Sequence, residues 1–206
     1  MILKNFMSGP LSVNCYIVAD EETKKGFMVD PGGYNQLMVN FIKENQIELE
    51  YIILTHGHGD HIGGVTAYLD EHPHCKLVAC KHEAELLRNP NMNFSAETCG
   101  VPITLNPNIL VDDGDKLSVG KMELTFYHTP GHTKGGMCIL VDNYLFSGDT
   151  LFAQSIGRTD LYGGSYKEIK DSIRNKLFVL PDDTQVYPGH MEPTTIGFEK
   201  RNNPFV

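Results

Sequence analysis

Thr55-His56-Gly57-His58-Gly59-Asp60-His61 packs three imidazoles and a carboxylate into six residues, directly after the apolar run Tyr51-Ile52-Ile53-Leu54. Such a run reads as a buried strand. Imidazole and carboxylate together suit zinc, iron(II) or manganese, and four such groups on one short loop could not all face a single ion without crowding. The stretch therefore implies two ions. One histidine on a loop is usually just solvated, but with 9 His in 206 residues this pattern would arise by chance in about one such chain per thousand.

Three later positions extend the reading. His132 lies in Thr129-Pro130-Gly131-His132-Thr133, Asp149 in Phe146-Ser147-Gly148-Asp149-Thr150, and His190 in Tyr187-Pro188-Gly189-His190. Each ends an apolar run beside glycine, where backbone can turn and a side chain can stand clear of a sheet edge. Ligand groups at strand ends from distant parts of a chain are how a rigid scaffold assembles a site.

With these residues together, the chain resembles the metallo-β-lactamase superfamily over nearly its whole length. The resemblance implies an α/β fold, the four-layer αββα sandwich. It implies that His56, His58 and His132 hold one metal, that Asp60, His61 and His190 hold the other, and that Asp149 bridges them. Zinc is the expected ion of both sites, with iron and manganese as alternatives. Lactamases typically place a Cys in the second site and lack the bridging Asp, so this sequence looks like the glyoxalase II branch of thioester hydrolases. Larger members of that branch carry a C-terminal helical domain; this chain stops at Phe205-Val206, soon after the His190 motif, and is more similar to the short members with a single domain, here 1–206.

The activity so implied is hydrolysis of a hydroxyacyl thioester such as S-lactoylglutathione by a hydroxide held between two metals. Asp60 and Asp149 are the catalytic candidates, Asp149 by fixing the metal spacing and Asp60 by orienting the hydroxide. A thiolate leaves without protonation near neutral pH, whereas an amine does not, so a thioester asks least of such a site. Substrate contacts are expected from Ser155-Ile156-Gly157-Arg158-Thr159-Asp160-Leu161-Tyr162-Gly163-Gly164, where Arg158 and Tyr162 match the family's basic residue and Tyr against glutathione, and from Asn93 in the polar loop Asn89–Pro102. Plainer readings stand beside these: Arg158 paired with Asp160, Tyr162 as a packing aromatic, and the loop as a connector. Two other activities share the scaffold. Persulfide dioxygenases use one iron on equivalents of His56, His132 and Asp149 and have a similar Gly-Arg-Thr-Asp run, and lactone or β-lactam hydrolysis is the other.

Period-two alternation predicts strands at Leu3–Phe6, Val13–Ala19, Gly26–Val29, Leu117–Val119, Glu123–His128, Met137–Val141, Asn143–Ser147 and Gln185–Tyr187, and helices at Gln36–Glu44 and Tyr166–Leu177. Ile169, Ile173 and Leu177 share one helical face. The length suits one domain with a large core. A net charge of −9 argues against a nucleic-acid partner. The N-terminus has no leader-like pattern and no run reaches membrane-span length, so a cytoplasmic protein with a small-molecule substrate is expected. Five cysteines without a Cys-x-x-Cys pair read as reduced thiols, with Cys15, Cys75 and Cys138 in strands. His72, His74 and His82 are expected to face solvent, and His128 to be a hydrogen-bonded structural residue.

Overall fold

All of Val13–Ala19 is buried, although successive side chains of a strand point to opposite faces. A strand buried on both faces needs a layer on each side. The computed structural model, which describes residues 1–206, supplies both.

One sheet runs in spatial order β1 (Ile2–Ser8), β2 (Val13–Ala19), β3 (Lys25–Val29), β4 (Glu48–Ile53), β5 (Lys76–Cys80) and β6 (Ile109–Val111). Its first three strands are antiparallel and the pairings from β3 to β6 are parallel. The second sheet contains β7 (Lys116–Val119), β8 (Met122–His128), β9 (Met137–Val141) and β10 (Tyr144–Gly148). A short hairpin, β11 (Leu151–Phe152) and β12 (Ser155–Ile156), follows, before β13 (Gln185–Pro188) joins β10 in parallel and β14 (Thr194–Thr195) closes the edge.

Alternation sorts the side chains into three apolar layers. Cys15, Ile17, Met28, Ile52 and Leu77 face outward from the first sheet onto Met38 and Ile42 of α1 (Gln36–Glu44), with α2 (Gly59–Ile62) and α3 (Val65–Glu71) contributing Ile62, Val65 and Tyr68. Tyr16, Val18, Phe27, Val29, Ile53 and Val78 face inward and meet Leu124, Phe126, Ile139, Val141 and Phe146 of the second sheet. Cys138, Leu145 and Val186 face out on the far side. The architecture is the αββα sandwich expected from the sequence.

After β5 the chain makes a 3₁₀ turn at 81–83 and three short helices, α4 (Ala84–Leu87), α5 (Pro90–Asn93) and α6 (Ser95–Cys99). The segment expected as a polar loop is therefore largely helical, broken at Phe94, whose φ of 58° is left-handed. The helix expected over 166–177 is α7 (Tyr166–Ser172) continued by one wider turn through Leu177. Ile169, Ile173 and Leu177 are all fully buried on the second sheet, each contributing about 1.5–3 kcal/mol of apolar burial. α8 (Ile196–Asn202) ends the fold and had no periodic signal long enough to forecast it. No helix is long and apolar enough to cross a membrane.

The cysteines are all free, and only Cys99 is not fully buried. Cys75 sits one residue before β5 rather than within a strand, yet is buried all the same. His74 and His82 are exposed and His72 is half-buried. His128 is half-buried, stacks on His82 with ring centroids 4.6 Å apart, and has Nε2 2.8 Å from the Lys134 carbonyl, a structural role.

Candidate metal centre

The histidines and carboxylates singled out in the sequence sit just beyond the C-terminal ends of β4, β8, β10 and β13. Parallel pairing of β10 with β13 brings Gly148 opposite Pro188, and the Gly189 amide donates to the Gly148 carbonyl at 2.9 Å. Asp149 and His190 are thereby delivered side by side. Two glycines permit this close approach. Gly148 has φ +50°, and a Cβ there would lie 2.3 Å from Thr55 Oγ1. A Cβ on Gly189 would lie 2.3 Å from Asp149 Oδ1 and 2.7 Å from His61 Cε1.

His56, His58 and His132 form one cluster, and Asp60, His61 and His190 another. In the first, His132 Nε2 lies 2.9 Å from His58 Nδ1 and 3.2 Å from His56 Nε2. His132 Nδ1 donates to the Arg158 carbonyl at 2.8 Å and His56 Nδ1 faces Thr55 Oγ1 at 3.1 Å, so the inward nitrogens of these two rings present lone pairs to each other. Facing lone pairs repel unless a cation lies between them. Two nitrogens about 2.0–2.1 Å from a tetrahedral ion are themselves separated by about 3.3 Å, close to the spacing found.

In the second cluster His190 Nε2 is 3.3 Å and His61 Nε2 is 3.7 Å from Asp60 Oδ2. Asp149 lies between the clusters: Oδ2 is 3.7 Å from both His132 Nε2 and His190 Nε2, and Oδ1 is 3.4 Å from His61 Nε2. His61 Nε2, His58 Nε2 and Asp149 Oδ1 are buried without a hydrogen-bond partner. Buried polar atoms are normally satisfied, and those of His61 and Asp149 face each other across the site. The residues therefore fit two cations sharing Asp149.

The electrostatics agree. Burial, reinforced by His61 and His132, holds His56 well below the usual imidazole range, and burial with His132 brings His58 down to about 3. Both rings are neutral, the form that ligates. Burial pulls His61 in the same direction, but Asp149, Asp60 and Asp30 outweigh it and raise this ring to about 10. Burial alone would raise Asp60; His61 and His190 overcome it and hold the carboxyl below the usual range. The second cluster thus attracts positive charge.

Two buried acids behind these ligands were not singled out in the sequence. Asp30 accepts from the Thr55 amide at 2.8 Å and from Thr55 Oγ1 at 2.5 Å, and its Oδ2 faces His61 Nδ1 at 2.9 Å. It orients His61 directly and His56 through Thr55. Geometrically Asp30, His56 and His61 also form a possible ligand trio, but Asp30 is committed to these three partners. A signal for it existed: Phe27-Met28-Val29-Asp30-Pro31-Gly32 ends an apolar run beside glycine, as Asp149 does. Glu83 had no such signal. Its two oxygens accept from the Gly57 and Gly135 amides, each at 2.8 Å, tying the loop of His56 and His58 to that of His132.

The clusters open into a cleft of about 650 Å³ lined by Phe94, Glu97 and Thr98 of α5–α6, by Phe152, Ser155 and Ile156 of the β11–β12 hairpin, and by Leu11, Arg158, Leu161 and Met191. Both expected segments reach this wall, but of Arg158, Tyr162 and Asn93 only Arg158 lies on it. Its guanidinium grips Asp160, Nε to Oδ1 at 2.7 Å and Nη2 to Oδ2 at 2.8 Å, so the loop-bracing reading is realised. Tyr162 is outside the cleft wall, its hydroxyl accepting from Lys134 Nζ at 3.0 Å. The expectation for Asn93 is corrected. It is fully buried, donates to the Leu86 and Ile103 carbonyls and accepts from the Ser95 amide, so its side chain is spent on backbone groups around the left-handed break at Phe94 and faces no ligand.

Comparison with known proteins agrees with this geometry. The chain is 34% identical over 198 residues to "Hydroxyacylglutathione hydrolase GloC" of Haemophilus influenzae, covering 94% of this chain and 92% of that protein. Among solved structures, BLEG-1 B3 metallo-beta-lactamase superposes with TM-score 0.91 at 37% identity, covering 99% of each chain. TTHA1623 in a di-iron-bound form superposes with TM-score 0.86 at 30% identity, covering 98% of this chain and 100% of the other. The family model of the metallo-beta-lactamase superfamily matches residues 8–190, and the chain belongs to that superfamily of metal-dependent hydrolases.

Proposed function

We propose that the protein is a dinuclear metal-dependent hydrolase of hydroxyacyl thioesters such as S-lactoylglutathione, yielding the hydroxy acid and the free thiol. The observation that carries this reading is Asp149 placed between two complete ligand clusters at the floor of an open cleft. His56, His58 and His132 would hold one ion, Asp60, His61 and His190 the second, and Asp149 both. The donor set suits zinc, iron or manganese. When bound, such a pair supplies a hydroxide nucleophile at neutral pH and a Lewis acid for the carbonyl under attack.

The chain's own groups do the rest. Asp149 sets the separation of the two clusters. Asp60, ionised and at the edge of the cleft, accepts a hydrogen bond from the attacking oxygen and orients it toward the carbonyl carbon. Phe94, Phe152 and Ile156 exclude water from the far side of the acyl group. The thiolate departs without a general acid, since thiols ionise close to neutrality.

A one-iron persulfide dioxygenase would use His56, His132 and Asp149 alone. The convergence of Asp60, His61 and His190 on Asp149 supports two ions and the hydrolase instead. Elemental analysis of untreated purified protein, with S-lactoylglutathione hydrolysis and persulfide-driven oxygen uptake assayed on the same sample, tests the choice. Two metals per chain with thioester turnover is the expected result; one iron with oxygen uptake would move the protein to the dioxygenases.

A further inference from the structure

Apart from the ligands themselves, the cleft wall carries two charged side chains, Glu97 and Arg158. Its remaining surface is mainly apolar, from Leu11, Phe94, Phe152, Ile156, Leu161 and Met191. The Arg158 charge is already matched, two of its nitrogens being engaged by the two oxygens of Asp160. A guanidinium held in this way offers an incoming carboxylate little net attraction. Lys134, which holds Tyr162, is not on the wall; it donates to Tyr162 and pairs with Glu85 at 3.7 Å. Glu97, exposed in the first turn of α6, makes no ion pair. With Arg158 matched by Asp160, Glu97 is the one unmatched charge of the wall beyond the metal ligands, on a chain whose overall charge is −9.

We infer that the cleft prefers a thiol portion that is cationic or uncharged beyond its sulfur, an amine-bearing thiol fitting best, and that thioesters whose distal end is a carboxylate, S-lactoylglutathione included, are hydrolysed but less efficiently. This rests on the thioester-hydrolase reading. Glu97 would face the cationic end, while the apolar wall takes the methylenes between it and the sulfur. The reaction is unchanged: water adds across the C–S bond, giving the acid and the thiol.

The test compares kcat/KM for S-lactoyl thioesters of thiocholine (cationic), N-acetylcysteamine (neutral) and 3-mercaptopropionate (anionic), with S-lactoylglutathione alongside. Each value is divided by that ester's rate of hydrolysis by hydroxide, which removes intrinsic reactivity. At low salt the cationic ester should exceed the anionic one by about five- to tenfold, a margin expected of exposed charges, and the ratio should shrink with added salt. Glu97→Gln should lower that ratio several-fold. Asp160→Asn, which frees Arg158, should also lower it by favouring the anionic ester. Ratios taken on one preparation cancel differences in the folded fraction, and affinity of the free thiols as competitive inhibitors gives a second readout with the same ordering. A wild-type preference for the anionic ester or for S-lactoylglutathione, or a ratio indifferent to both substitutions, would overturn the inference while leaving the hydrolase standing. Failure to hydrolyse any of the esters in the metal-loaded protein would remove both.

Discussion

Asp30 Oδ2 lies 2.9 Å from His61 Nδ1, and both side chains are almost wholly buried. The same carboxylate holds Thr55, whose hydroxyl faces His56 Nδ1, so one acid orients a ligand in each cluster. Asp30→Ala should leave buried donors without partners, cost about 1–3 kcal/mol of stability and weaken metal affinity by about 10–100-fold. Metal-to-protein ratios after dialysis against graded chelator measure this; wild-type retention of both metals would remove Asp30 from the account.

Asp149→Asn keeps the size of the side chain but removes the charge shared between the clusters. Turnover should fall by more than about a hundredfold and metal retention should drop as well. Steady-state kinetics with parallel metal analysis checks it, and full activity in the variant would show the bridging assignment to be wrong.

Glu83 has a predictable pH signature. Burial raises its pKa from 4.5 to about 7 against the pull of the Gly57 and Gly135 amides. A folded pKa above the unfolded one means the native state binds this proton more tightly, so the contribution is complete below about pH 4.5 and is lost as pH rises through about 7. Glu83→Gln cannot ionise. Denaturation of metal-free protein across this range should show a flatter fall in stability for the variant than for wild type, and parallel curves would count against the assignment. Because Gln offers one acceptor where two amides require one each, the variant should also be less stable at pH 7 by about 1–3 kcal/mol.

At Gly189 the prediction is steric. A methyl group there would stand 2.3 Å from Asp149 Oδ1, so Gly189→Ala should displace the carboxylate, lowering metal content and activity while the far-ultraviolet circular dichroism spectrum stays native. Unchanged metal content would show that the strand end yields more than its packing indicates.

The ligand set was legible in the sequence because each member follows a strand, where apolar alternation and glycine mark both the strand and its end. The layering came from the resemblance, since periodicity alone supports only a mixture of strands and helices; the burial of every residue of Val13–Ala19, Asn14 included, shows the two covering layers only in the structure. Asp30 carried the same mark but stands alone, without the dense histidine pattern that drew attention to residues 55–61. Glu83 was hidden, because its partners at Gly57 and Gly135 lie 26 and 52 residues away and are backbone amides that leave no trace in sequence. Asn93 and Tyr162 illustrate the converse. Their chemistry suits a ligand, but a left-handed turn at Phe94 and a lysine at 134 claim them first.

Ligands and cleft wall come from different parts of the chain. The ligands stand just beyond the ends of β4, β8, β10 and β13, where interstrand hydrogen bonds and close glycine contacts hold the backbone. Much of the wall comes from α5–α6 and from the β11–β12 hairpin, segments that make few of those bonds. The two can diverge so long as the backbone contacts between them are kept, the Arg158 carbonyl on His132 and the packing of Gly157 against Asp149 above all: exchanging the side chains at 94, 97, 152 and 156 between relatives should transplant a preference for one thiol over another, giving the scaffold room to change its diet without relearning its chemistry.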